Sequence, residues 1–221
     1  MKVLILGASR GIGLEFVRQY REAGDTVVAT ARDDAGLERL RALGARALRL
    51  DVGEPASVGG LGGQLAGEQP DLAIHVAGVM SHGGATTPPA RDDFDHVMRT
   101  NVWGAMQVIP QVAPLVEAAG GKFAFISSQM GHIAGVDSSY NWVYRASKAA
   151  LNMAVAAAQP DYPGATFVVL SPGWVQTEMG GADAPLAVDA SVEWMRRTLA
   201  LAYKHRHVSF LDYDGTPFKG W

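Results

Sequence analysis

The chain has 221 residues, 48% hydrophobic and 19% charged, an ordinary globular composition that argues against disorder and permits one self-sufficient core. With 19 Lys+Arg against 22 Asp+Glu the net charge is -3, so there is no basic footprint for nucleic acid or an anionic membrane. There is no cysteine, which excludes disulfides, thiol catalysis and cysteine-metal sites.

In chain order, the apolar run Val3–Leu6 predicts a first strand. A glycine-rich turn, Gly7 to Gly13, leads into a helix over Gly11–Ala23, where Ile12, Phe16, Val17 and Tyr20 share a face and Gly24 supplies the cap. A second strand, Thr26–Thr30, a helix over Gly36–Leu43 and a third strand, Ala47–Leu50, follow. Gly53–Gly67 holds six glycines and carries the weakest helical pattern. A fourth strand, Leu72–Ala77, precedes a helix over Asp92–Glu117, in which Pro110 and Pro114 predict a kink or break in the second half. The remaining elements are a strand Lys122–Ser127, a helix Tyr144–Ala158, a strand Thr166–Leu170, a helix Asp189–Tyr203 and a weak strand Val208–Leu211.

Most of these strands are continuously apolar, as expected where both faces are covered. Their alternation with helices reads as βαβ units. The predicted fold is therefore α/β: a single-domain Rossmann-type doubly wound parallel sheet of about seven strands, helices on both faces, spanning residues 1–221. No apolar run approaches the roughly 18 residues of a spanning helix. The apolar start, Met1–Gly7, is too short for a signal-peptide core, so the expected compartment is the cytoplasm.

A glycine turn between a strand and a helix is the context a phosphate site needs, because the backbone can approach a pyrophosphate seated on the helix N-terminus. Here the spacing is Gly7-x-x-x-Gly11-x-Gly13. Further along, Tyr144 and Lys148 lie four residues apart, on one helical face. A phenol near its usual pKa of ~10 is a poor acid-base group at neutral pH. A neighbouring ammonium stabilises the phenolate and lowers that value. Tyr140 lacks such a partner, since Tyr144 stands four residues on, and is assigned to packing or the pocket wall.

With these motifs in order, the chain resembles the short-chain dehydrogenase/reductase family along essentially its full length. The glycine turn resembles that family's cofactor loop, with Leu6 where Thr is usual. Asp51-Val52 resembles the pair that contacts adenine. His75-Val76-Ala77-Gly78 replaces the customary Asn-Asn-Ala-Gly but keeps the backbone approach at Ala77 and Gly78. Asn101-Val102-Trp103-Gly104, Ser127-Ser128, Tyr144 to Lys148 and Pro172 to Thr177 complete the set. The run from Tyr144 to Asn152 and the ending around Asp212-Tyr213 are similar to the subgroup containing the C-signal protein and the sniffer-type carbonyl reductases.

The resemblance implies a catalytic set of Asn101, Ser128, Tyr144 and Lys148. Tyr144 would be the general acid/base, Ser128 would polarise the carbonyl, and Asn101 would hold a water or backbone geometry linking Lys148 to solvent. Ser128 stands 16 residues before Tyr144, the subgroup's spacing; the commoner spacing of 13 falls on Gly131. Cofactor contacts are expected from Gly7, Ser9, Arg10, Gly11, Ile12, Gly13, Arg32, Asp51, Val52, Ala77, Gly78, Tyr144, Lys148, Pro172, Val175 and Thr177.

The second strand ends on Ala31-Arg32, with no carboxylate for the ribose hydroxyls that an NAD site wants. Arg32 and Arg10 suit a 2′-phosphate by charge and geometry, while Asp33 and Asp34 lie past the turn, so the expected cofactor is NADP(H). No metal is expected, because His205-Arg206-His207 lacks convergent ligand spacing. Of the other histidines, His75, His82 and His96 are read as loop or pocket residues, and His132 as the best placed to touch substrate. Trp142, Trp174 and Met179 are expected to line an apolar pocket. The expected activity is hydride transfer between nicotinamide and a small-molecule carbonyl/alcohol pair; the alternative is a nucleotide-binding signalling protein with little turnover. Alanines from Ala146 to Ala158 give one helix a small-residue face, which in this family implies a homodimer or higher homo-oligomer.

Overall fold

The computed structural model describes residues 1–203 and 208–221; the His205-Arg206-His207 segment lies outside the described residues. Seven strands form one sheet: β1 (Lys2–Leu6), β2 (Thr26–Ala31), β3 (Arg46–Arg49), β4 (Leu72–His75), β5 (Lys122–Ile126), β6 (Thr166–Ser171) and β7 (Ser209–Asp212). Every pairing is parallel and the order is β3-β2-β1-β4-β5-β6-β7. The order reverses between β1 and β4, and such a switch point opens a crevice at the carboxyl ends of the strands.

Helices α1 (Gly11–Glu22), α2 (Asp34–Ala42) and α8 (Val188–Leu201) cover one face. The other carries the short α3 (Pro55–Gly59) and α4 (Leu61–Gln64), then α6 (Gly104–Ala118) and α7 (Trp142–Ala158). Helix α5 (Arg91–Met98) runs through a π-helical turn, Arg99–Trp103, into α6. The continuous apolar strands predicted from sequence are buried from both sides: Ile5 and Ile74 pack under α1 and α8, while Leu6 and Phe125 pack under α6 and α7. Phe123, Phe125 and Phe167 meet with centroids 4.2 to 5.7 Å apart, contacts worth roughly 0.5–1.5 kcal/mol each beyond their area.

Three local expectations need correction. Helix α6 runs unbroken to Ala118 through Pro110 and Pro114. Both prolines are exposed and share a face, so water can reach the carbonyls whose partners they remove. The irregularity sits earlier instead, in the π turn. The glycine-rich Gly53–Gly67 stretch forms two short helices rather than one. Helix α2 begins two residues before Gly36, because the Asp33 carboxylate caps it, accepting from the Gly36 N–H at 2.7 Å.

Candidate active site

A cleft of about 750 Å³ opens along the carboxyl ends of the strands. Gly7, at φ +88°, ends β1 so close to β4 that a Cβ there would lie 2.6 Å from the Ala77 nitrogen. Gly13 opens α1 against the same turn, where a Cβ would meet the Gly7 carbonyl at 2.4 Å. Side chains are thus excluded on both sides of the turn. Thr30, fully buried on β2, accepts from the Gly7 N–H at 3.0 Å and steadies the loop from the neighbouring strand. This cradle suits a dinucleotide pyrophosphate, which needs close backbone approach and the α1 N-terminus.

Most of the residues expected to bind cofactor do line the cleft: Gly7, Ser9, Arg10, Gly11, Ile12, Gly13, Arg32, Asp51, Val52, Ala77, Gly78, Tyr144, Lys148, Pro172 and Thr177. Val175 does not; it is buried and shapes the loop behind, its carbonyl packed against Gly180. Three guanidinium groups gather at one end. Arg39 also lines the cleft, its Nε donating to the Ser9 carbonyl at 2.9 Å. Arg10 pairs with Glu178 at 2.6 Å across the cleft. The acidic neighbours are occupied: Asp33 caps α2 and Asp34 pairs with Arg49.

Tyr144 and Lys148 project from the first turns of α7, both buried. Lys148 Nζ donates to the Ile126 carbonyl at the end of β5, at 2.8 Å, and lies 5.6 Å from the Tyr144 ring centroid. The expected lowering of the phenol is absent here. Burial dominates and pushes Tyr144 up to about 12, against which the Ser128 hydrogen bond pulls down. Burial likewise lowers Lys148 to about 8. As it stands, Tyr144 is held protonated, the form that can donate to a developing alkoxide.

The lowered lysine has a consequence for stability. As pH rises, folded chains release this proton at about 8, before unfolded ones do near the usual 10.5. The protein should therefore gain stability between those values, and lose it again as pH falls to about 8. Melting midpoints of the wild type and Lys148→Met, compared across that window, should diverge in the wild type's favour; a constant difference contradicts the assignment.

Asn101 sits in the π turn, a feature common at functional sites, and is fully buried. Its amide clamps the loop after β4, accepting from the Val79 N–H and donating to the Val79 carbonyl, both at 2.8 Å. It also donates to the Ser147 hydroxyl at 2.9 Å, which in turn donates to the Tyr144 carbonyl at 2.7 Å. Asn101 is thus tied to backbone geometry, and Ser147 is a link that sequence reasoning missed.

The two serines after β5 differ in their partners, although Ser127 is the one that lines the cleft and the Ser128 hydroxyl also accepts from the Met130 N–H at 3.0 Å. Ser127 is buried and its hydroxyl bonds to the Asn152 amide oxygen at 2.6 Å, whereas Ser128 hydrogen-bonds Tyr144. Ser128→Ala should lower turnover about 10²–10³-fold, as loss of one oxyanion donor does. Ser127→Ala should keep most activity but lose ~1–3 kcal/mol of stability, because the Asn152 amide oxygen is left without its donor in the core. Activity and denaturant midpoints of the two variants check this; reversed phenotypes would exchange the serines.

The histidine expectations fare unevenly. His82 and His96 line the cleft with Met80 and Met179. His132 does not. It binds the Lys219 carbonyl at 3.0 Å and packs on Phe210 and Phe218, pinning the C-terminal segment. Trp174 is mostly exposed, its indole N–H bonded to the Gly180 carbonyl at 2.7 Å. Among the described residues no cluster of three or more His, Asp or Glu could hold a metal ion, and no helix is long and apolar enough to cross a membrane.

Comparison with known proteins agrees with this geometry. Residues 1–185 match the family model for short chain dehydrogenase. The C-signal of Myxococcus xanthus is 36% identical over 149 residues, 66% of this chain and 90% of that protein. A short-chain dehydrogenase/reductase of Burkholderia multivorans, solved with bound NADP, superposes with a TM-score of 0.91 at 32% identity, over 100% of this chain and 99% of that one. A carbonyl reductase of Pseudomonas aeruginosa PAO1 in complex with NADP gives 0.84 at 31% identity, with the same coverage.

Proposed function

Since the chain belongs to the short-chain dehydrogenase/reductase family, we propose that it is an NADP(H)-dependent reductase of a small carbonyl compound, with Tyr144 as the general acid. The observation that carries this reading is that Tyr144 and Lys148 line one cleft beside the Gly7–Gly13 cradle, with Ser128 hydrogen-bonded to Tyr144. NADP(H), when bound, supplies the hydride. Ser128 then orients the substrate oxygen by a hydrogen bond, and Tyr144 delivers its phenolic proton to that oxygen as negative charge develops. The Lys148 ammonium stands ready to stabilise the phenolate that remains. Burial keeps Tyr144 in the proton-donating form at neutral pH.

Arg10, Arg32 and Arg39 are the residues proposed to select the 2′-phosphate, and the cofactor of the two NADP-bound neighbours supports that choice. Oxidation of NADPH and of NADH over a panel of aldehydes and ketones tests the reading. Turnover with NADPH preferred is expected; tight NADPH binding without turnover on any carbonyl would favour a nucleotide-binding signalling role instead.

Self-association as a homodimer or higher homo-oligomer belongs to the same proposal. Met106 on α6 and Met153 on α7 are 52% and 69% exposed, on the helices where close packing of small residues is expected. Sedimentation should show a dimer that weakens in Met153→Glu; a monomer at all concentrations would remove it.

A further inference from the structure

His75 has no task in the reaction proposed above, yet it lies against its machinery. As the last residue of β4, it pairs with Leu6 on one side and Phe125 on the other. Strand residues alternate faces: Ile74 belongs to the core under α1 and α8, so His75 turns toward α6 and α7, where its ring tilts over Phe125 with centroids 6.0 Å apart. The residue after Phe125 is Ile126, whose carbonyl receives Lys148. His75 is 1% exposed, and neither ring nitrogen has a hydrogen-bond partner among the described residues.

A neutral imidazole offers one donor and one acceptor, and an ammonium offers three donors. Ile126 accepts one Lys148 hydrogen bond. Buried polar groups in native proteins are almost always satisfied, by protein or by ordered water. We propose that His75 is a positioning residue for Lys148: the two side chains hold one buried water molecule, which accepts from the ammonium and donates to the imidazole, so that Lys148 is fixed from two sides. This rests on the reductase reading for its kinetic consequence, though not for the water site itself. Burial and then the Lys148 charge hold His75 down at about 3, which keeps its acceptor nitrogen free of a proton. Among the described residues, Lys148 is the charged group that acts on it; the other neighbours named above are apolar.

The test compares His75→Leu and His75→Asn with the wild type, alongside a high-resolution crystal structure of the wild type with NADPH. Density for a water within hydrogen-bond distance of both Lys148 Nζ and a His75 nitrogen is expected. In His75→Leu, kcat should fall about tenfold with the substrate KM little changed, and His75→Asn, which keeps a hydrogen-bonding amide, should recover most of it. If His75 merely fills the core, leucine would leave kcat unchanged and raise the melting midpoint, since an apolar replacement relieves an unmatched polar group. That pattern, or a map without the water, overturns the proposal. Should the wild type reduce no carbonyl, the reductase reading fails by itself. The crystal structure and the His75→Leu melting midpoint then decide the water site.

Discussion

Tyr144→Phe is expected to abolish carbonyl reduction while leaving NADPH binding nearly intact. Phenylalanine keeps the ring in its buried position on α7, and with it the contact 5.6 Å from Lys148 Nζ. What disappears is the hydroxyl and its hydrogen bond with Ser128. A positioned proton donor contributes roughly 10²–10⁴-fold to rate, whereas the cofactor cradle is built from the glycine turn and the β4 end. Burial holds the Tyr144 pKa at about 12, so the variant loses a group that is protonated throughout the neutral range. Its melting midpoint should not fall. Steady-state rates with a reducible aldehyde, together with an NADPH titration, read both halves; near wild-type turnover would remove Tyr144 from the chemistry.

Arg32→Ala should raise the NADPH dissociation constant strongly and leave that for NADH almost unchanged. Arg32 is exposed at the end of β2 and lines the cleft, and the carboxylates that could compete for it, Asp33 and Asp34, are engaged as a helix cap and by Arg49. A charge-assisted contact to phosphate is among the stronger ones. Its loss should cost ~1.5–3 kcal/mol, or about one to two decades of affinity. The effect should fade at high salt, because exposed charges are screened. Arg39→Ala should weaken NADPH less, since Arg39 is also held by the Ser9 carbonyl. Titrating both nucleotides into wild type and variant decides the matter: equal wild-type affinities, or indifference to Arg32, would refute the assignment.

Much of this was legible in the sequence because the physics was local. Strands buried on both faces read as continuous apolar runs, and a glycine turn between strand and helix announces its own geometry. The i,i+4 spacing of Tyr144 and Lys148 was visible for the same reason. What was hidden depended on tertiary surroundings. Pro110 and Pro114 look like helix breakers until both are seen on the solvent face. The π turn around Asn101 has no periodic signature. His132 resembled a substrate contact, but the C-terminal aromatic residues that claim it lie about 80 residues away in the chain. Arg39 and the Arg10–Glu178 pair likewise emerge only when the α2 and β6 loops meet the glycine turn.

The most direct measurement follows the transferred hydrogen. Wild-type protein is incubated with NADPH carrying deuterium at both nicotinamide C4 positions and a reducible carbonyl, and the product is read by mass spectrometry. One deuterium bound to the carbinol carbon is predicted, with none transferred by Tyr144→Phe. Consumption of NADPH without deuterium in the alcohol, or no alcohol from any carbonyl offered, would contradict the reductase reading.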